Sequence, residues 1–201
     1  NGVAIPPTPA IGGVGLIPDM AKRAHFGGMR EGDILLVVGE TEGALGASVY
    51  LKVIEGREDG GAPLVDLDVE KANGDFVRGQ IRAGRLSACH DLSDGGLACA
   101  AADMALASDM GIKLAHEGNV PMHGYLFGED QGRYLLAAAK EDAIAILQDA
   151  KADDIPVHVV GLAGGKAVTV NDAHPLELDR LRAAWEGWMP GLMDQLVEAA
   201  E

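Results

Sequence analysis

Two short stretches of the chain gather the residue types that phosphate, metal and amide chemistry require. The first is His90-Asp91-Leu92-Ser93-Asp94-Gly95-Gly96-Leu97, with two carboxylates, a hydroxyl and paired glycines in close succession. The second is Leu126-Phe127-Gly128-Glu129-Asp130-Gln131-Gly132-Arg133. Here Glu129 is of the type that ligates a metal, Gln131 suits a neutral polar substrate, and Arg133 suits phosphate. Both stretches also have plain structural readings. Ser93 or Asp94 would serve as a helix cap, and the second stretch would be a solvated turn.

The flanking residues say how these groups would be placed. Arg85 to Cys89 is short and mostly apolar, as a buried strand is. Leu97 to Met110 is rich in Ala, Leu and Met and stops at Gly111, as a helix does. The first stretch is therefore a strand-to-helix turn. Free N–H groups at a helix start attract phosphate. Carboxylates beside phosphate make sense mainly with Mg²⁺ between them. The second stretch enters a strand, Arg133 to Ala139, instead of leaving one. Two such loops at one sheet edge would form one site.

The remaining elements follow from pattern. Pro6, Pro7 and Pro9 force extended backbone, and Ala10 to Ile17, broken by glycines, reads as a buried strand. A phosphate loop there lacks the dinucleotide and Walker spacings. Residues 19–33 read as a domain boundary. Ile34 to Val38 is a strand, 39–43 a loop, Ala44 to Ile54 a helix, and 56–61 a flexible connection. Over 64–84, Val69, Ala72, Phe76 and Ile81 fall near helical spacing, although Asn73-Gly74 alone would signal a hairpin. The spacing predicts one helix, capped by Asp66 or Asp68 and ended at Gly84. Ile112 to Ala115 is a short strand, and 116–132 a long loop with one helical turn in it. Glu141 to Lys151 is an amphipathic helix. Val157 to Leu162 and Lys166 to Val170 read as a hairpin about Gly164-Gly165. Pro175 to Ala200 reads as helical, kinked or split at Pro190-Gly191, with Trp185 and Trp188 on one side. Helices and strands interleave without strict alternation. The fold class expected is α+β, a layered domain with a mixed β-sheet and packed helices.

Composition narrows the function. The 201 residues are 48% hydrophobic but only 4% aromatic, so a full core is built from Ala, Val, Leu, Ile and Met. A net charge of −15 argues against a nucleic-acid surface and against an anionic-membrane surface. The expectation is no nucleic acid and no membrane. Cys89 and Cys99 show no zinc spacing and sit among apolar neighbours, so they read as buried free thiols in a reducing cytosol. No signal peptide or membrane-length apolar run is visible. Asn1 in place of Met, running straight into a Pro-rich stretch, reads as a fragment of a longer protein.

In combination and order, four segments resemble the synthetase subunit of phosphoribosylformylglycinamidine synthase (FGAM synthase), in the aminoimidazole ribonucleotide synthetase superfamily. Pro7 to Gly15 resembles that family's PTPxIGGVG segment, and Gly32-Asp33-Ile34 through Gly39-Glu40-Thr41 its GDxxxxxGET segment. His90 to Leu97 resembles its HDVSDGGL turn, and Phe127 to Arg133 its FGExQGR loop. The chain departs from the family's ELGGSEYL segment, reading Ala44-Leu45-Gly46-Ala47-Ser48-Val49-Tyr50-Leu51. The acidic residue is lost at Val49.

The resemblance implies a fold like the C-terminal domain of aminoimidazole ribonucleotide synthetase. Residues 1–30 would end the preceding N-terminal-type domain, and 31–201 would be the C-terminal-type domain. It implies a cytoplasmic, ATP- and Mg²⁺-dependent ligase of purine biosynthesis that converts FGAR to FGAM. ATP would activate the FGAR amide oxygen as an iminophosphate, which ammonia then displaces. The implied partners are FGAR, a glutaminase subunit, a small bridging subunit, and the other domains of the chain's own full-length protein. Asp91 and Gly128 match nucleotide-contacting positions, Glu129 a magnesium position and Gln131 a substrate-contacting one. Asp94 would act as a carboxylate behind them. The family's catalytic histidine lies in earlier domains, so no catalytic residue is expected here, His90 included. The alternatives are a non-catalytic domain holding a nucleotide or docking the glutaminase, or a sibling ATP-dependent synthetase or kinase.

Overall fold

The computed structural model describes residues 10–198. Pro6 to Pro9, and with them the start of the first family-like segment, lie outside the described residues. The centre is a seven-stranded mixed sheet in the order β2-β4-β1-β5-β3-β6-β7. Its strands are β1 (Ile34–Val38), β2 (Ala88–Asp91), β3 (Ile112–Leu114), β4 (Tyr134–Ala138), β5 (Val157–Ala163), β6 (Ala167–Val170) and β7 (Ala173–Glu177). All neighbours are antiparallel except β3 and β6. The α+β mixed-sheet expectation holds.

Strands β1 and β4 are continuous apolar runs because both of their faces are covered. Leu35, Val37, Leu135 and Ala137 belong to one core cluster, with α3 (Gly96–Ser108). Leu36, Val38, Leu136 and Ala138 belong to the other, with α2 (Leu67–Arg82) and α5 (Lys140–Ala152). In α2 the Asp66 carboxylate accepts from the N–H groups of Asp68 and Val69 at 3.0 and 3.2 Å. Asp68 and Glu70 stand in its first turn and Arg82 in its last, as the helix dipole favours. The Asn73-Gly74 hairpin signal is overridden because Asn73 is buried and donates its amide to Gly132 O at 2.9 Å.

Four expectations fail, each for a visible reason. Residues 10–17 are not a buried strand: Ile11, Val14 and Leu16 are more than nine-tenths exposed and pair with no strand. The helix expected over 44–54 shrinks to α1 (Val49–Val53), which begins at the Ser48 cap. The backbone before it is held as a loop, since Asp130 takes the N–H groups of Gly43 and Ala44. Strands β5 and β6 do not form a hairpin, because β3 lies between them and the Gly164-Gly165 turn bonds instead to Gly111. The C-terminal stretch opens as β7, which pairs with β6, and then continues as α6 (Leu178–Glu186) and α7 (Trp188–Glu198). It breaks at Gly187. Pro190 falls in the first turn of α7, where its missing N–H costs no helical bond.

The boundary region is more attached than its polar sequence suggests. Cys89 N–H donates to His25 O at 3.1 Å, Phe26 packs on the His90 ring, and Met29 is buried. Among the described residues no helix is long and apolar enough to cross a membrane.

Candidate functional site

Strand pairing brings the two acidic-glycine stretches together. Asp91 at the end of β2 faces Tyr134 at the start of β4, and Leu92 N–H donates to Arg133 O at 3.0 Å. The turn leaving β2 and the loop entering β4 are thus side by side, at one end of adjacent strands. Six-residue α4 (Met122–Phe127) delivers the chain to that loop. Gly96 leaves room for the loop, since a Cβ there would collide with Gly128 O and approach Phe127 C to 3.0 Å.

Glu129 joins the pieces. Its Oε1 accepts from Gly95 N–H at 2.9 Å, at the start of α3, and from Val49 N–H at 2.9 Å, at the start of α1. A carboxylate therefore occupies the position at the α3 N-terminus where a phosphate was expected. Gly96 N–H is also used, by Ser93 O at 3.0 Å. The cap of α3 is Gly95, with φ 76°, and neither Ser93 nor Asp94 caps the helix with its side chain. A free phosphate at this turn would meet Glu129 directly and Asp91 and Asp94 nearby, so bare anion binding is disfavoured.

Behind Glu129 lies a polar cluster that the sequence reading missed. Asp130 is 7% exposed and accepts from Gly43 N–H and Ala44 N–H, both at 3.0 Å. Arg133 is 2% exposed. Its Nε donates to Asp130 O at 3.1 Å, Nη1 to Thr41 Oγ1 at 3.1 Å and Nη2 to Gly128 O at 2.6 Å. Burial pulls the Arg133 pKa below its ordinary value, and the Asp130 carboxylate opposes that shift. The guanidinium is consumed internally, which overturns its reading as a phosphate partner. The signal for Asp130 was its place between Glu129 and Gln131, indistinguishable in sequence from a solvated acid.

The four family-matched residues occupy different surroundings. Asp91 is exposed and lies 3.2 Å from His90 Nδ1, beside a groove of about 510 Å³ that Phe26, Val77, Arg78 and Tyr134 help line. Gln131 is exposed and donates to Glu129 O at 3.2 Å. It opens on a different cavity, of about 460 Å³, which Glu42, Leu64 and Asn73 also line. Gly128 is buried with both backbone groups paired: its N–H to Gly124 O at 2.8 Å and its carbonyl to Arg133. Its missing side chain is filled from within, since a Cβ there would come within 2.8 Å of Gly43 Cα and collide with Gly124 O.

Magnesium fits poorly on these residues alone. Among the described residues no three His, Cys, Asp or Glu side chains converge as a metal site. One oxygen of Glu129 already holds two N–H groups, leaving its other oxygen as the available ligand. The cysteine reading holds only by half. Cys89 is half-buried, and burial, with Asp91 adding to it, pushes its pKa up to about 12. Cys99 is free but exposed.

A seven-stranded mixed sheet covered on both faces at β1 and β4, with two glycine-bearing loops joined at one end, is the architecture of an AIR synthase-type domain. The chain belongs to the family described as AIR synthase related protein, C-terminal domain, which matches residues 30–171. The sheet continues past that match, since β7 pairs with β6 and Leu178 is in the core. More particular likenesses are to phosphoribosylformylglycinamidine synthase subunit PurL. The Caulobacter vibrioides protein of that name is 53% identical over 193 residues, covering 96% of this chain and 26% of that protein. The Methylocella silvestris one is 48% identical, with the same coverage. The chain thus spans about a quarter of the length of these curated relatives. Among solved structures, T. maritima PurL complexed with FGAR superposes with a TM-score of 0.68 at 17% identity. That match covers 81% of this chain and 30% of that one. T. maritima PurL complexed with ATP gives 0.64 at 18% identity, covering 81% and 27%. At such identities these two structures show the fold.

Proposed function

We propose that this chain is the C-terminal part of the synthetase subunit of FGAM synthase and forms one wall of its active site. In this reading residues 1–30 end the preceding N-terminal-type domain and 31–201 form the C-terminal-type domain, with His25 to Met29 as the joint. The full protein would be a cytoplasmic ligase that converts FGAR to FGAM with ATP and ammonia. A glutaminase subunit and a small bridging subunit would complete it. The observation that carries the reading is the meeting of the two family-like loops through Glu129, in a chain 53% identical to a named PurL.

Each residue has a task compatible with its surroundings. Asp91, exposed at the strand end, accepts hydrogen bonds from the nucleotide. Gly128, whose missing side chain lets it pack against Gly43 and Gly124, is assigned to the nucleotide by its place in the loop. Gln131 hydrogen-bonds the uncharged amide part of FGAR, for which a neutral donor and acceptor is suited. Glu129 would lend its second carboxylate oxygen to Mg²⁺, with the remaining ligands supplied from outside this chain. Positioning and electrostatics of the reacting amide come from groups on the family's earlier domains, so alone this chain does not turn over.

The test is ADP release from FGAR, ATP, Mg²⁺ and ammonium, measured on the full-length protein and on the 201-residue chain. The full-length protein is expected to turn over and the short chain to match the blank. Turnover by the short chain, or none by the full-length protein, would overturn the reading.

A further inference from the structure

The Gly39-Glu40-Thr41 run carries none of the proposed ligand positions, although Glu40 lines the cavity that Gln131 opens on, and it is locked to the loop that carries them. Gly39 abuts Arg133: a Cβ there would come within 2.8 Å of both Arg133 Cγ and Gly132 O. Thr41 Oγ1 accepts from Arg133 Nη1, and the other Arg133 bonds run to the carbonyls of Gly128 and Asp130, on either side of Glu129. Asp130, 3.6 Å from the guanidinium, ties the same cluster to Gly43 and Ala44. We propose that Arg133, braced by Thr41 and Asp130, is a positioning residue that sets where Gly128, Glu129 and Gln131 stand toward their ligands. The inference rests on the FGAM synthase reading.

The physical case is one of geometry. A guanidinium is planar and presents its donors as a fixed fork, so three bonds to one loop and its neighbour define the loop's place. Glu129 has little freedom of its own, because its N–H is held by Ala44 O at 2.8 Å and its carboxylate by Gly95 and Val49. A shift in the fork therefore moves Gly128 and Gln131 against the start of α3. Thr41 is the partner whose removal disturbs the fork least in volume, since Val has nearly its shape.

The test uses the full-length enzyme with Thr41→Val, Thr41→Ser and Arg133→Lys, each shown to be folded by circular dichroism. Thr41→Val is expected to raise KM for ATP and for FGAR, lowering kcat/KM about tenfold, the scale of one hydrogen bond to a charged group. Thr41→Ser, which keeps the hydroxyl, is expected to restore both KM values. Arg133→Lys should change them in the same direction as Thr41→Val; if it does not fold, the Thr41 pair decides alone. A merely structural role reduces the amount of active enzyme, and so apparent kcat, with KM unmoved. Unmoved KM values in Thr41→Val would overturn the proposal. A wild-type protein that makes no FGAM would overturn the functional reading instead, and the positioning role with it.

Discussion

The turn at 91–96 and the loop at 128–133 are built from the same materials, acids and glycines, but hold them in opposite ways. In the loop, Asp130 is buried on two backbone N–H groups, Glu129 receives two more, and Arg133 is almost wholly enclosed. In the turn, Asp91, Ser93 and Asp94 are exposed, and the α3 cap is a glycine whose own N–H goes to Glu129 from the loop. The charges of Asp130 and Arg133, and one oxygen of Glu129, are thus spent on structure. The turn's charges remain available to solvent or to a ligand. A carboxylate's role follows from whether N–H groups already surround it, and residue type alone does not reveal that.

The largest expected effect breaks this contrast directly. Asp130→Ala leaves the N–H groups of Gly43 and Ala44 without their acceptor and Arg133 without its nearby negative charge. Removing one partner from such a buried set costs about 3–5 kcal/mol. Asp94→Ala, at an exposed position that caps nothing, should stay within about 0.5 kcal/mol of the parent. Urea unfolding midpoints of the two variants compare them. Equal midpoints would mean that the two segments are not held differently at all.

A smaller effect separates binding from folding. Asp91→Asn in the full-length protein keeps size and most hydrogen bonding, and the exposed site gives little reason for a stability change. If the charge serves the nucleotide, apparent ATP affinity falls about tenfold, within the range for a hydrogen bond to a charged group. Glu129→Gln reports the other behaviour, because it weakens bonds that join α1 and α3. It should lower the unfolding midpoint as well as ligand affinity. An ATP affinity untouched in both variants would show that these loops are scaffold and that the nucleotide is held elsewhere.

Much of this arrangement was legible in the sequence, and the omissions have physical causes. Long periodic segments are readable: α2 runs Leu67–Arg82 between the caps Asp66 and Ala83 because its cap, apolar stripe and terminal Gly84 agree. The meeting of turn and loop was expected from their places at strand ends. Tertiary pairing was not legible where local signals misled. Gly164-Gly165 looks like a hairpin turn, and only the insertion of β3 shows otherwise. Ile11, Val14 and Leu16 look like core, yet they are exposed in this structure. Arg133 looked like a phosphate ligand because nothing local shows that Thr41, ninety-two positions earlier, takes one of its donors.

The smallest effect uses Cys99 as a native reporter of charge at the turn. Its sulfur lies against Gly95, where an added Cβ would collide with it. Partial burial raises the thiol pKa first, and Asp103, Glu129 and Asp94 add to that rise in this order. Cys89 serves as the internal control, because its pKa of about 12 is set by burial and Asp91. A raised pKa means less thiolate at a given pH, so both thiols should alkylate slowly at pH 7 and faster as pH rises. Exposed Cys99 should lead Cys89 throughout. Asp94→Asn removes one negative neighbour, lowers the Cys99 pKa and should speed its reaction with iodoacetamide about twofold, the scale of one screened surface charge. Mass spectrometry of the two cysteine peptides over time gives both rates. If the Asp94 carboxylate acts at the turn, only the Cys99 rate changes; an equal acceleration of Cys89 would instead mean that the substitution loosens the strand and that Asp94 is part of the structure after all.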